Sequence, residues 1–131
     1  MILLRIRLAL LSLALWSSLL GQERSEATAA EMERMATTLR SQPPEVAMHR
    51  IDSLLALPAS TQDPLLRVDL YNFKGHALRL VGRQDEALAA QVRSYELADS
   101  LNDRRGRTEA QIAIAIIHMD RDELDQAKRE L

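Results

Sequence analysis

The sequence predicts an all-α protein built from antiparallel helix pairs. The chain has 131 residues but only four glycines and four prolines, the two residue types that most destabilise helix interiors. Leu66, Leu70 and Phe73 follow the i, i+4, i+7 spacing of one helical face. A third observation, an alanine that recurs at a fixed interval, predicts that the helices are organised as repeats.

The first 21 residues predict an export signal. Arg5 and Arg7 form a basic head, residues 8–20 carry no charge, and Gly21 precedes a polar segment. This order is typical of a secretory signal peptide. The apolar stretch is shorter than the roughly 20 residues that a spanning helix needs, although an uncleaved N-terminal membrane anchor is the alternative. We therefore expect a periplasmic or secreted chain with a signal peptide at 1–21.

The recurring alanines are Ala47, Ala87 and Ala127, which lie 40 residues apart, each after an acidic helix start. The same interval separates Gly75 from Ala115. Periods of this length are typical of stacked helix pairs. The sequence therefore predicts three units, which cover residues 22–62, 63–102 and 103–131.

The first unit, 22–62, is the most degenerate of the three. Its first helix is predicted from about Glu23 to Arg40, with Met32, Met35 and Leu39 facing inward. Its second helix follows the two prolines at 43 and 44, because proline is tolerated in the first turn of a helix.

The central unit, 63–102, has the clearest boundaries. Asp63 can cap a helix that starts at Pro64, Gly82 can take the left-handed conformation that ends it, and a second helix follows from about Gln84. The first of these helices has two apolar faces, so we expect neighbours on both sides. One face carries Leu66, Leu70, Phe73, Ala77 and Leu80, and the other carries Tyr71, Gly75 and Leu78.

The third unit, 103–131, is predicted to be incomplete. Ala115 and Ala127 take the small positions, and Asp122 stands where the central unit has its turn glycine. The chain stops inside the predicted last helix, without the polar cap that repeat arrays need. This predicts either a fragment of a longer protein or an open C-terminal end that associates with another chain.

The run from Tyr71 to Leu97 resembles one tetratricopeptide repeat. The resemblance implies a right-handed α-solenoid of about three repeats, the last truncated, in an extended 40-residue form behind a signal peptide. Such extended repeats resemble those of exported sensor proteins of some bacteria. The residues that carry the repeat signature are Tyr71, Gly75, Leu78, Gly82, Ala87 and Ser94, with Ala47, Ala115 and Ala127 as their counterparts.

The resemblance also implies a binding groove, because in this family the first helices of successive units line a concave face. An extended peptide or an amphipathic helix suits such a groove, although the apolar residues of the third unit could instead await a further helix. The expected groove residues are Asp69, Asn72, His76, Arg79, Glu109, Ile112, Ile116 and Met119.

Composition and missing motifs narrow the function. A net charge of −2 and 3% aromatic residues argue against nucleic acid as a partner. Without cysteine, with His49, His76 and His118 outside zinc-binding spacings, and with no phosphate-binding or nucleophile motif, we expect no metal, cofactor, small-molecule substrate or catalysis. The basic run 103–107 suits an acidic partner or, alternatively, a solvated connection between helices.

These observations predict an exported, non-catalytic scaffold that binds a protein or peptide. The alternative is the N-terminal periplasmic sensor segment of a longer membrane signalling protein, such as a histidine kinase or a transcription regulator. A plain helical bundle without repeat stacking is the third possibility for the fold. It would be favoured if Ala47, Ala87 and Ala127 did not occupy equivalent helix contacts.

Overall fold

The structure, a computed structural model, describes residues 23–130, without the side chains at 126, 127 and 130. All regular secondary structure within the described residues is helical, without a strand, which confirms the predicted all-α class. The predicted signal peptide lies outside the described residues. The helices are α1 (Glu26–Ser41), α2 (Pro44–Leu55), α3 (Pro64–Leu80), α4 (Gln84–Ser100) and α5 (Arg104–Glu130), with a short 3-10 helix (Ala59–Thr61) before α3.

Side-chain caps fix the starts of α1 and α3. The hydroxyl of Ser25 accepts a hydrogen bond from the backbone N–H of Thr28, and a carboxylate oxygen of Asp63 accepts one from Leu65 at 2.9 Å. Such caps satisfy N–H groups that have no partner within the helix. The other carboxylate oxygen of Asp63 accepts from the Thr28 hydroxyl at 2.8 Å. One aspartate therefore starts α3 and ties it to α1.

Helix α3 lies at the centre of the fold. It packs against all four other α-helices, while each helix also packs against the next one along the chain. The expectation that the first helix of the central unit has neighbours on both sides is confirmed.

Two apolar clusters occupy the two sides of α3. Leu70 joins Met35, Ala47 and Ile51 in the first cluster, between α1, α2 and α3. The second cluster joins α3, α4 and α5, and consists of Leu78, Ala87, Ala90 and Ile117.

The 40-residue interval appears in the helix boundaries. Helices α2 and α4 begin at Pro44 and Gln84, and α3 and α5 begin at Pro64 and Arg104. Ala47 and Ala87 are both completely buried, each in the first turns of its helix. The side chain of Ala127, the third member of the series, lies outside the described residues.

The turns between helices use left-handed residues. Gly82 has φ +80°, as expected for the residue that ends α3, and the turn before α5 uses Asn102 at φ +53°. Asparagine tolerates this conformation better than most residues do, so a turn without glycine closes the end of α4.

Three expectations about inward-facing and turn residues are wrong. Helix α5 continues through Asp122, because no glycine or proline interrupts it after Gly106, and ion pairs from Asp120 to Arg79 and from Arg121 to Asp85 hold this stretch against α3 and α4. Ala115 is exposed, because the contact face of α5 is formed by Gly106, Ala110, Ala113 and Ile117. Leu80 is 56% exposed, because it lies in the last turn of α3, beyond the first cluster.

None of the helices within residues 23–130 combines the length and the apolar composition required to cross a bilayer.

Candidate binding groove

Helices α1, α3 and α5 together border one shallow depression of about 310 Å³. Its lining combines apolar side chains with polar and charged ones. Five of the eight expected groove residues line it, namely Asp69, Asn72, His76, Glu109 and Ile112. Arg79, Ile116 and Met119 are not among its lining residues. The remaining lining residues are Met32, Phe73, Arg105 and Ala113.

Asn72 is bound within the protein rather than exposed to a ligand. Its side-chain amide donates to Oε1 of Gln91 at 3.1 Å, and its backbone carbonyl accepts from Nε2 of the same glutamine at 2.9 Å. Gln91 is completely buried. These two hydrogen bonds join α3 to α4 behind the groove, so Asn72 supports the wall and offers little surface of its own.

Asp69 is the second groove residue with an internal partner. The guanidinium of Arg24 donates to both carboxylate oxygens of Asp69, at 3.1 and 2.8 Å, and to both oxygens of Asp103, at 2.8 and 2.7 Å. The Arg24 side chain is 5% exposed and the two carboxylates 2% each. This buried ion triad joins the segment before α1 to α3 and to the start of α5.

The two carboxyl groups of the triad have pKa values that are shifted in opposite directions. Burial raises the pKa of Asp69, and the hydrogen bonds from Arg24 only partly oppose it. Burial also acts to raise the pKa of Asp103, but the hydrogen bonds from Arg24 and from the backbone N–H of Gly106 outweigh it, so the pKa is lowered. Burial acts to lower the pKa of Arg24, yet the two carboxylates raise it, so Arg24 stays charged.

Sequence reasoning missed Arg24 because the residue lies outside any helix and next to the predicted signal segment. Asp69 and Asp103 are 34 positions apart, so no local pattern predicts that one arginine joins them. The available signal was that Asp69 falls in a stretch rich in apolar residues, 65–73, where a charge that becomes buried needs a partner.

His76 lies at the middle of the depression. Burial lowers its pKa, the positive charge of Arg79 lowers it further, and Glu109 opposes the change. The imidazole is therefore neutral near pH 7, and a neutral imidazole can both donate and accept a hydrogen bond.

The lowered pKa of His76 makes stability depend on pH. The folded state binds this proton less readily than the unfolded state, whose histidine has an ordinary pKa of about 6.5. The stabilisation that depends on a neutral His76 is therefore present above that pH and is lost as the pH falls below it. We expect His76→Gln to reduce the loss of unfolding free energy between pH 7.5 and 5.5, measured by urea titration.

The exposed His118 of α5 provides the matched control, because His118→Gln makes the same chemical change at a solvent-exposed position outside the depression. The charged groups around His76 are Asp69, Arg79, Arg105 and Glu109, and all of them are retained in His76→Gln, so the difference from the wild type reports on the imidazole. Equal pH profiles for the wild type and His76→Gln would contradict the assignment.

Charged side chains of α5 and α3 in and near the groove are paired within the chain, and α5 adds an exposed apolar side chain. Arg105 donates to Glu109 at 2.8 Å, and Arg79 pairs with Asp120 at 3.0 Å. Ile112 is 56% exposed beside the depression. The triad of Arg24, Asp69 and Asp103 keeps one net negative charge, and the pair of Arg105 and Glu109 cancels, so the groove carries little net charge and offers apolar surface at one side.

No group of three potential metal ligands occurs within the described part of the chain. Its fold and groove define an all-α protein of packed helix pairs with a surface depression between alternate helices. Comparison of the chain with family models, with curated proteins and with solved structures gives no match.

Proposed function

We propose that this protein is an exported scaffold whose helix pairs stack as tetratricopeptide-like repeats and whose groove binds a peptide segment of a partner. The single observation that carries the proposal is the groove itself, to which α1, α3 and α5 each contribute. Alternate helices line a shared face when helix pairs stack in register. The 40-residue interval between equivalent helix starts supports the same arrangement.

The lining of the groove suits a peptide with few charges. Met32, Phe73 and Ile112 offer apolar contacts, and the neutral imidazole of His76 can bond to a peptide backbone. The charged lining residues Asp69, Arg105 and Glu109 already have partners within the chain. An apolar anchor side chain beside a polar backbone contact is a common mode of peptide recognition, and binding should depend weakly on salt.

Peptides selected from a phage-displayed random library test the proposal. We expect selected peptides to lose affinity about tenfold when Ile112→Ser removes an apolar contact worth about 1–2 kcal/mol. His76→Ala should weaken them as well. Asn72 and Asp69 are unsuitable for this test, because their side chains are bound inside the fold.

Val92→Ser on α4 is the matched control, because Val92 is also an exposed apolar residue, 40% accessible, and lies outside the depression. Isothermal titration of each variant gives the affinities. If no peptide is selected, or if Ile112→Ser and Val92→Ser bind equally well, the groove is not the binding surface.

A further inference from the structure

Helix α5 exposes an apolar stripe that ends in opposite charges. Ile112, Ile116 and Met119 follow helical spacing, and Ile112 and Met119 are 56% and 62% exposed. Arg105 lies on the same face two turns before Ile112, and Glu123 lies on it one turn after Met119. Both side chains are exposed. An apolar stripe of this kind on a helix face is a feature of contact surfaces.

The first turn of α5 carries the charge that this end of a helix disfavours, whereas its last turn carries Lys128 and Arg129, which that end favours. Its first turn contains arginines and no acidic residue, although negative charge stabilises that end of a helix. The acidic residues Asp120, Asp122, Glu123 and Asp125 follow the stripe instead. Asp120 pairs with Arg79 within the chain, whereas the exposed Arg105 and Glu123 would suit an external surface with the reverse order of charges.

We propose that the stripe binds the same stripe of a second copy, with the two α5 helices antiparallel. A two-fold axis that crosses the stripe at the height of residue 114 places Arg105 opposite Glu123 of the second copy, because 114 is midway between 105 and 123. The same axis places Ile112 opposite Ile116, because 114 is also midway between these two. A two-fold interface repeats each contact, so two ion pairs, about 27 Å apart along the helix, enclose the four isoleucines.

The charge order selects this arrangement over a parallel one. A parallel pair would bring Arg105 against Arg105 and Glu123 against Glu123, and like charges in contact are destabilising. Met119 meets the Glu109 of the second copy in the antiparallel arrangement. The carboxylate of Glu109 is already paired with Arg105 on its own helix, so Met119 does not face an unpaired charge.

The pairs within one chain compete only weakly with this contact. The side chains of Arg105 and Glu109 are 57% and 37% exposed, and such i, i+4 surface pairs contribute about 0.3–0.5 kcal/mol. Arg105 donates to Glu109 through Nε, and a guanidinium has further N–H groups, so Arg105 can bond to Glu123 of the second copy while its pair with Glu109 stays intact. One helix face is a small interface, so we expect a dimer that dissociates on dilution.

Charge reversal tests the inference by sedimentation equilibrium of the purified chain. Arg105→Glu and Glu123→Arg should each weaken the dimer about tenfold or more, because each change creates two contacts between like charges. The double variant Arg105→Glu/Glu123→Arg should restore the affinity to within about threefold of the wild type. Restoration by the second charge change also separates this contact from association through any other part of the chain.

A mixture of two single-cysteine variants measures the orientation, since the natural chain has no cysteine. Ile112→Cys mixed with Ile116→Cys should form the mixed disulfide faster than either variant forms a disulfide with itself, because cysteines bridge only at short Cα distances. Predominant formation of the two homodimeric disulfides would overturn the antiparallel arrangement.

A monomeric wild type, or charge-reversal variants that associate as strongly as the wild type, would overturn the self-association. That outcome leaves the proposed peptide groove intact, since His76→Ala changes a groove residue outside the stripe and therefore measures peptide binding separately. Conversely, a dimer that obeys the charge-reversal pattern stands even if no peptide binds.

Discussion

Arg24→Ala is expected to lower the free energy of unfolding by about 3–5 kcal/mol, the range found when one partner of a buried ion pair is removed. The guanidinium of Arg24 supplies four hydrogen bonds to two carboxylates that are 2% exposed. Without it, Asp69 and Asp103 remain buried beside each other with no cation between them. Urea unfolding of the purified chain measures the loss.

Arg40→Ala is the matched control for this experiment. Arg40 also pairs with a carboxylate, that of Glu33, but the two side chains are 66% and 75% exposed, and exposed ion pairs contribute about 0–1 kcal/mol. A loss below about 1 kcal/mol for Arg24→Ala would show that the triad does not hold the helices together.

The pH dependence of the same variant separates the lost charge from lost packing. In Arg24→Ala the two carboxylates have no cation, so burial and mutual repulsion raise their folded-state pKa values above those of the unfolded chain. The folded state then binds protons more readily than the unfolded state, and the deficit relative to the wild type should shrink as the pH falls towards 4. A deficit that is constant with pH would indicate packing alone.

The triad also shows where prediction from the sequence stops. The helix starts at Pro64 and Gln84 were predictable, because Asp63 and Gly82 act through local backbone chemistry that short patterns record. The partner of Asp69 was not predictable, because Arg24 approaches it from a segment that has no periodicity of its own. Contacts between residues distant in sequence depend on how the helices pack.

Helix α5 shows a second limit. The assumed repeat placed a turn at Asp122 and a packed small residue at Ala115, and both expectations failed. Asp122 has no conformational need to end a helix, whereas Gly82 does when its φ is positive. The 40-residue interval matches the start of α5 at Arg104, although the run 103–107 was expected to be a surface patch or a connection between helices. The contacts of the helix's own sequence decide where it continues.

The sequence predicted five residues that line the depression, but it did not predict which of them are bound inside the fold. Asp69, Asn72, His76, Glu109 and Ile112 do line one depression. Helix spacing puts the members on α3, and those on α5, each on one face, and the expectation that the two helices share that face came from the resemblance. Spacing does not reveal which of them are available to a ligand. The internal bonds of Asp69 and Asn72 depend on Arg24 and Gln91, and only the packed structure shows them.

Gly75→Ala is expected to destabilise the fold by about 2 kcal/mol. A Cβ atom at position 75 would lie 2.7 and 2.8 Å from Cδ and Cγ of Gln91, closer than real contacts allow. Gln91 cannot move aside without losing its two hydrogen bonds to Asn72. The clash and the lost bonds cost about 3 kcal/mol, and the better helix propensity of alanine offsets about 1 kcal/mol of this.

A double-mutant cycle with Gln91→Ala identifies the cause. Gln91→Ala alone removes a buried side chain and should itself cost about 2–4 kcal/mol. In Gly75→Ala/Gln91→Ala the new methyl group enters the space that the glutamine leaves. The double variant should therefore be more stable than the sum of the single effects by about 1.5 kcal/mol or more.

Gly82→Ala supplies the contrast, because a Cβ atom there has no neighbour within 4 Å and meets only the strain of φ +80°. Gly82→Ala should lower the free energy of unfolding by about 1 kcal/mol, and this loss should simply add to the loss caused by Gln91→Ala. If Gly75→Ala is equally additive, the contact between α3 and α4 is not as close as the structure places it. In that case, the close approach of α3 and α4 at Gly75 and Gln91 does not position the wall of the groove.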